Sequence, residues 1–276
     1  MHKIICSLVT YNTPEETVAD AIGSFLSTGL DVKLYLVDNS PDDKLRALCG
    51  DQRIVYIHNP SNPGYGSAHN IAIRHTLSDG AEYHLVMNPD IWFSPGTLED
   101  ITGFMDKNHQ VGSLMPKILN EDGSLQRLCK LLPSPVNLAG RRFFSGMDWA
   151  KKKNELYELH HFNYDEVLNT PCLSGCFMFI RASVLQASGI FDPRYFMYLE
   201  DYDLTRRIHR IAETIFYPGA TAVHGHAQES YKNTDLLKVH MRSAIAYFNK
   251  WGWLVDKERS KFNQKVLDTL GQKHQK

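Results

Sequence analysis

A chain of 276 residues with 43% apolar and 22% charged side chains has the material for one large core, or one core with an appendage, and reads as an ordinary globular protein. Its formal net charge of −1 excludes the globally basic character typical of nucleic-acid binders, so nucleic acid is not an expected partner. Five cysteines, Cys6, Cys49, Cys129, Cys172 and Cys176, exclude a fully paired disulfide framework, and no charged-then-apolar leader precedes Lys3, so the expectation is a cytoplasmic protein with free thiols.

The first element in chain order is a buried strand, Ile4 to Tyr11. Thr13-Pro14-Glu15-Glu16 then supplies an N-cap, a proline at the first helical position and a capping-box glutamate. A helix follows, with Val18, Ile22, Phe25 and Leu26 as its apolar stripe and Gly29 as its stop. A second strand runs from Val32 to Val37 into Asp38-Asn39-Ser40. The pattern repeats as a strand from Ile54 to Ile57, a loop from Asn59 to Tyr65, a helix from Ser67 to Leu77 and a strand from Tyr83 to Met87. Strands alternating with helices imply a mainly parallel sheet, whose ligands bind beyond the carboxyl ends of its strands. Those ends carry Thr10-Tyr11-Asn12, Asp38-Asn39-Ser40, Asn62-Pro63-Gly64-Tyr65-Gly66 and Asn88-Pro89-Asp90, which would converge on one crevice.

From 120 to 170 the regularity fails, with Pro133, Pro135, Arg141-Arg142 and Lys151-Lys152-Lys153, so an irregular insertion is expected, facing an acceptor or forming long surface loops. Order returns in a strand from Leu173 to Ile180 and a helix from Arg181 to Ala187. Next comes the hexamer Leu199-Glu200-Asp201-Tyr202-Asp203-Leu204, entered through Tyr195, Phe196 and Tyr198. Acids crowded against aromatics are costly to bury without a task, although three first-turn acids also suit the positive end of a helix running to Ala212. Two short strands follow, Thr214 to Tyr217 and Thr221 to Val223, then His224-Gly225-His226 and an amphipathic helix from Leu236 to Trp251. The expected organisation is one domain over 1–232 and a helical extension over 233–276 packed upon it.

Asp90 at a strand end, with Asn88 two residues earlier, suits a divalent cation shared with a ligand's phosphates, although Asn-Pro-Asp is also a good turn. His224 offers a second ligand after another strand. The glycines at 64 and 66 lack the third spacing of a nicotinamide-binding fingerprint, while leaving room for a nucleotide.

Taken together, Thr10-Tyr11-Asn12, Val37-Asp38-Asn39-Ser40, Asn62-x-Gly64-Tyr65-Gly66-x-Ala68-x-Asn70, Leu85-x-x-Asn88-Pro89-Asp90, Ser174-Gly175-Cys176-Phe177, Gly189-x-Phe191-Asp192, Tyr198-x-Glu200-Asp201-x-Asp203-Leu204, His224 and Arg242-Ser243 resemble the inverting family 2 glycosyltransferases, nearest their bacterial rhamnosyltransferase-like branch. The likeness runs over roughly residues 3 to 251, and its joint order is more specific than any single motif. It implies a Rossmann-like GT-A sheet of α/β class, with Thr10, Tyr11, Asn12, Asp38 and Asn39 at the nucleotide base and Asn62, Gly64, Asn70 and Asn88 bordering nucleotide and donor sugar. It also implies Asp90 and His224 as metal ligands, Asp201 as general base and Glu200 as its helper. Asn88 departs from the family's commoner aspartate and offers only a neutral carbonyl, so the cation, Mn2+ or Mg2+, would rely on Asp90, His224 and diphosphate. Mixed oxygen and imidazole ligation favours Mn2+.

The implied activity moves a sugar, L-rhamnose from dTDP-rhamnose as the best match, to a hydroxyl of a growing surface polysaccharide or lipid-linked oligosaccharide. UDP-hexose and UDP-galactofuranose are the competing donors. A sugar nucleotidyltransferase would want a basic phosphate clamp early in the chain, where Thr10 to Asp31 has none. A glycoside hydrolase needs carboxylates facing each other across a sugar, which helix neighbours Glu200 and Asp201 do not. A non-catalytic carbohydrate-binding homologue would not need Asp90, Asp201 and His224 together. No apolar run approaches the roughly 20 residues of a membrane span. The basic tail from Lys250 to Lys276, beside Trp251 and Trp253, reads either as peripheral contact with the inner face of a plasma membrane or as a solvated helix whose apolar side forms a homodimer.

Overall fold

The computed structural model describes residues 2–144, 146–225 and 234–273. His226, Lys276 and the boundary at 232–233 lie outside them. Strands β1 (Ile4–Thr10), β2 (Val32–Asp38), β3 (Ile54–His58) and β4 (Tyr83–Met87) form a parallel half-sheet in the order β3-β2-β1-β4. Every residue of β1 is buried, as expected of a central parallel strand covered on both faces.

The sheet continues through β8 (Phe177–Arg181), β6 (Val111–Leu119), β9 (Glu213–His224) and β5 (Ile91–Trp92), with β7 (Leu168–Asn169) beside β9. Because β8 is antiparallel to both β4 and β6, β6 runs parallel to β4, and β9 runs parallel to β6. The carboxyl ends of β1, β2, β4, β6 and β9 therefore meet the start of β8 along one edge. This is the mixed, mainly parallel α/β sheet expected.

Helices α1 (Glu15–Leu26) and α3 (Thr97–Lys107) cover one face, burying Val18, Ile22, Phe25, Leu98, Ile101 and Met105 against Ile4, Cys6 and Leu8. Helices α2 (Tyr65–Asp79), α6 (Ala182–Ser188) and α7 (Glu200–His209) cover the other. All five cysteines are free thiols, and Cys6, Cys129, Cys172 and Cys176 are buried.

Several local expectations are corrected. Helix α1 starts after Pro14 with no side-chain cap, because the Thr13 hydroxyl instead accepts from the Tyr11 amide at 3.4 Å. The two short strands after α7 are one strand, β9, with a register shift where Pro218, which has no N–H, sits opposite the Pro116–Lys117 step. The stretch 120–170 is not irregular throughout, since it carries α4 (Pro135–Phe143), α5 (Asp148–Tyr157) and β7. Pro135 occupies the first turn of α4, where its missing N–H costs nothing, and Ser134 and Asn137 close a capping box.

The chain ends in α8 (Thr234–Trp251) and α9 (Lys257–Lys273). Tyr247 and Phe248 of α8 pack with Tyr195 and Leu199, so this helix buttresses the segment that enters α7. No helix among the described residues is long and apolar enough to cross a membrane.

Candidate active site

The acidic hexamer opens α7. Tyr198 and Leu199 both take left-handed backbone conformations, with φ of 72° and 67°, a strained entry for non-glycine residues. The segment is held from outside. Ser243 of α8 donates to the Met197 carbonyl at 2.8 Å, and the Tyr65 amide at the start of α2 donates to the Phe196 carbonyl at 2.8 Å. Gly64 makes that second contact possible: its φ is 94°, and a Cβ there would overlap the Phe196 carbonyl.

The three acids separate by partner. Asp201 accepts from the Gly175 amide at 2.9 Å and from the Tyr202 amide at 2.9 Å. Burial raises its pKa, while those two amides and Lys130 pull it back. Glu200 is buried, and its Oε2 has no hydrogen-bond partner among the described residues. Burial and the neighbouring Asp201 charge push its pKa well up. Asp203 is fully buried and engaged by Lys250 at 2.6 Å, Trp251 Nε1 at 2.8 Å and Arg207 at 2.9 Å, so its role, open at the sequence level, is to anchor α8.

Asn88, Asp90 and His224 do come together across the sheet edge. Ile91 of β5 pairs with His224 of β9, which sets His224 Nε2 3.3 Å from Asp90 Oδ1. Asn88 turns its amide nitrogen towards the same Nε2 at 3.4 Å, leaving its carbonyl to Tyr65, whose hydroxyl is 3.0 Å away. Oxygen from Asp90 and imidazole nitrogen from His224 are a fitting pair for a divalent ion of the Mn2+ type. No cluster of three His, Cys, Asp or Glu occurs among the described residues, so the donor's own phosphates would have to complete the coordination.

Tyr65 joins the two ends. Its hydroxyl lies 2.8 Å from the Gly175 carbonyl, and the Gly175 amide holds Asp201. Burial, followed by the charges of Glu200, Asp201 and Asp90, raises its pKa well up, so it is a neutral hydroxyl within the field of all three acids.

At the other end of the edge, Asp38 is fully buried and accepts from Thr10 Oγ1 at 3.1 Å, the Ser40 amide at 3.0 Å and the Tyr56 hydroxyl at 2.8 Å. Asn39 accepts from Asn59 at 2.7 Å, and the Asn12 amide donates to Ser40. Tyr11 stands 55% exposed beside them. Asn62 has φ of 40° and lies in the loop before α2. Asn70 departs from its expected place at the donor: it is buried on the inner face of α2, with both ends of its amide on the Phe191 backbone, at 2.8 and 3.0 Å.

A family model described as glycosyl transferase family 2 matches residues 7–189, from within β1 to the end of α6. The chain belongs to this family. It is 27% identical over 236 residues to an N-acetylglucosaminyl-diphospho-decaprenol L-rhamnosyltransferase of Mycobacterium tuberculosis, covering 80% of this chain and 76% of that one. S. aureus TarS 1-349, solved in complex with UDP-GlcNAc, superposes with a TM-score of 0.58 at 17% identity, over 96% of this chain and 71% of that one. Mannosyltransferase PcManGT from Pyrobaculum calidifontis, solved with GDP-Man and Mn2+, gives 0.57 at 15%, over 89% and 64%. The family 2 fold is thus of the GT-A type.

Two residues of this glycosyltransferase escaped the sequence reading. Tyr65 was visible as a motif position without a role. Gln126, whose Oε1 is 3.0 Å from His224 Nδ1, sits in the stretch taken for irregular and carries no local signal.

Proposed function

We propose that the protein is an inverting, metal-assisted glycosyltransferase that moves a sugar from a nucleoside diphosphate donor to a hydroxyl of a glycan or lipid-linked oligosaccharide. One observation carries the reading: a chain of hydrogen bonds through Tyr65 and Gly175 links Asp201 to Asn88, which sits beside Asp90 and His224. The nucleotide would lie over Thr10, Tyr11, Asn12, Asp38 and Asn39, with Asn62 and Gly64 at its side and Asn70 supporting the floor. Asp90 and His224 would hold the ion, which supplies positive charge to the departing diphosphate. Asp201 takes the proton of the acceptor hydroxyl as that oxygen bonds to the anomeric carbon. The bond to the diphosphate breaks on the opposite face, its electron pair leaving with the diphosphate, and the configuration inverts. Glu200, protonated, keeps a second negative charge away from Asp201.

The likeness to the rhamnosyltransferase supports L-rhamnose from dTDP-rhamnose as the donor and a diphosphate-linked lipid as the acceptor carrier. The turn between α8 and α9 supports a peripheral membrane position: Trp253, Leu254 and Val255 are exposed, the last two at 90% and 77%, and the exposed Lys257 and Lys261 follow them. The test is a panel of sugar nucleotides assayed for nucleoside diphosphate release with and without Mn2+. dTDP-rhamnose should give the fastest Mn2+-dependent release, and no release from any donor would sink the enzymatic reading. Asp201→Asn should slow turnover about 100- to 10,000-fold and leave donor affinity unchanged by calorimetry; unchanged turnover would move the base elsewhere.

A further inference from the structure

The geometry points to Gln126 as the positioning residue that fixes the tautomer of His224 and turns Nε2 towards Asp90. The bond pattern leaves little freedom. Gln126 Nε2 donates to the Asn120 side-chain carbonyl at 2.7 Å and to the His224 backbone carbonyl at 3.0 Å. A flipped amide would set oxygen against both carbonyls, so Oε1 must be the atom facing His224 Nδ1 at 3.0 Å. An amide oxygen only accepts, and Nδ1 therefore carries the hydrogen. In the neutral ring Nε2 then holds a lone pair, with the Asn88 amide nitrogen 3.4 Å and Asp90 Oδ1 3.3 Å away. A lone pair and a carboxylate oxygen facing one gap are two donors for a cation. That is the ligand-ready state of the imidazole.

The fold delivers Gln126 to this place by a tight turn. Strand β6 runs beside β9 up to the pair Leu119 and Val223, next to His224. The chain reverses through Asn120 and Gly123, whose φ is 81°, with the Gly123 amide on the Asn120 carbonyl at 2.9 Å and the Asn120 amide on the Ser124 carbonyl at 2.8 Å. Leu125 returns to pair with Leu119, and the Gln126 amide bonds the Ile118 carbonyl at 2.9 Å. The segment that looked like an insertion thus supplies the outer support of the site.

The link to a cation rests on the proposed metal-assisted function; the tautomer does not. Nitrogen-resolved NMR of the imidazole side chains in the metal-free protein at pH 8 reads the tautomer directly, with His224→Gln assigning the signal. Wild type should show Nδ1–H and an unprotonated Nε2. Gln126→Leu should lose that preference, and its Mn2+ affinity in the presence of nucleoside diphosphate should fall about 10- to 100-fold by calorimetry. Gln126→Glu keeps an acceptor for Nδ1–H but sets its second oxygen against the Asn120 and His224 carbonyls, so it should keep Nδ1–H at a lowered melting temperature and bind Mn2+ more tightly than the leucine variant. A merely structural Gln126 would lower the melting temperature in both variants and leave the ring pattern alone. An Nε2–H or doubly protonated ring in wild type overturns the proposal, as does an unchanged pattern in Gln126→Leu. Failure of wild type to bind Mn2+ overturns the metal reading alone, because the tautomer is measured without it.

Discussion

Glu200 and Asp201 are adjacent in the chain and opposite in circumstance. Asp201 has two amide donors and a nearby lysine, while Glu200 is buried with an oxygen that nothing among the described residues satisfies. Amide donors favour the charged form of Asp201, while burial and the Asp201 charge disfavour that of Glu200, the kind of separation by which the proposed mechanism would divide labour between them. The sign of the pH effect follows. The Glu200 pKa is raised on folding, so its contribution to stability is full below the unfolded value near 4.5 and is lost as pH rises towards the folded one. Glu200→Gln removes that loss, so its melting temperature relative to wild type should climb between pH 5 and pH 8. A gap independent of pH would mean Glu200 is already ionised in the fold. At this scale the local sequence marked the acids through their crowding against Tyr195, Phe196 and Tyr198, and only the family resemblance told Asp201 from Glu200. The deciding donor, the Gly175 amide, is 26 residues away and enters only through the sheet.

The element that orients those acids is α7, and α7 is gripped by the end of the chain. Arg206, 1% exposed, makes a two-pronged ion pair with Asp256 at 2.8 and 2.6 Å, bonds Glu258 at 2.7 Å and stacks on Trp251. One turn earlier Asp203 binds Lys250 and Trp251. Two buried ion clusters on one helix thus lock α8 and α9 against the strained residues Tyr198 and Leu199. Arg206→Met strands Asp256 in the interior and should cost about 3–5 kcal/mol of stability, read by urea unfolding. A loss below about 1 kcal/mol would show the pair to be dispensable. Helices such as α1 and α2 were legible because their apolar spacing and flanking residues are local signals. α4 was hidden by prolines that read as loop, although Pro135 sits where a helix accepts one. α9 was expected only as part of a helical extension and without bounds of its own, because Val266 is the one apolar residue it buries among the described side chains, too sparse a stripe to stand out.

Across the whole molecule, the sheet edge gathers Asp38, the pair Asp90 and His224, and Asp201, while the α8–α9 turn presents Trp253, Leu254 and Val255 outward. Burying those side chains in a lipid headgroup layer would contribute about 1.5–3 kcal/mol each, and each nearby lysine about 1 kcal/mol against anionic lipid. Wild type should therefore sediment with vesicles containing phosphatidylglycerol, and Leu254→Glu with Val255→Glu should stay in solution with donor hydrolysis unchanged. Equal sedimentation of both proteins would dismiss the turn as a membrane contact, and a concentration-dependent dimer lost in the double variant would assign that face to a second copy instead. By itself the sequence determined the alternating strands and helices, the polar strand ends, the glycine loop before α2 and the acidic start of α7, because each is set by neighbours a few residues apart. Only the tertiary structure decided that Asn70 serves Phe191, that Asp203 anchors α8, that Tyr65 bridges Asn88 and Gly175 and that Gln126 faces His224. Those roles depend on partners 23 to 121 residues away, and no local spacing encodes a contact that exists only once the sheet has closed.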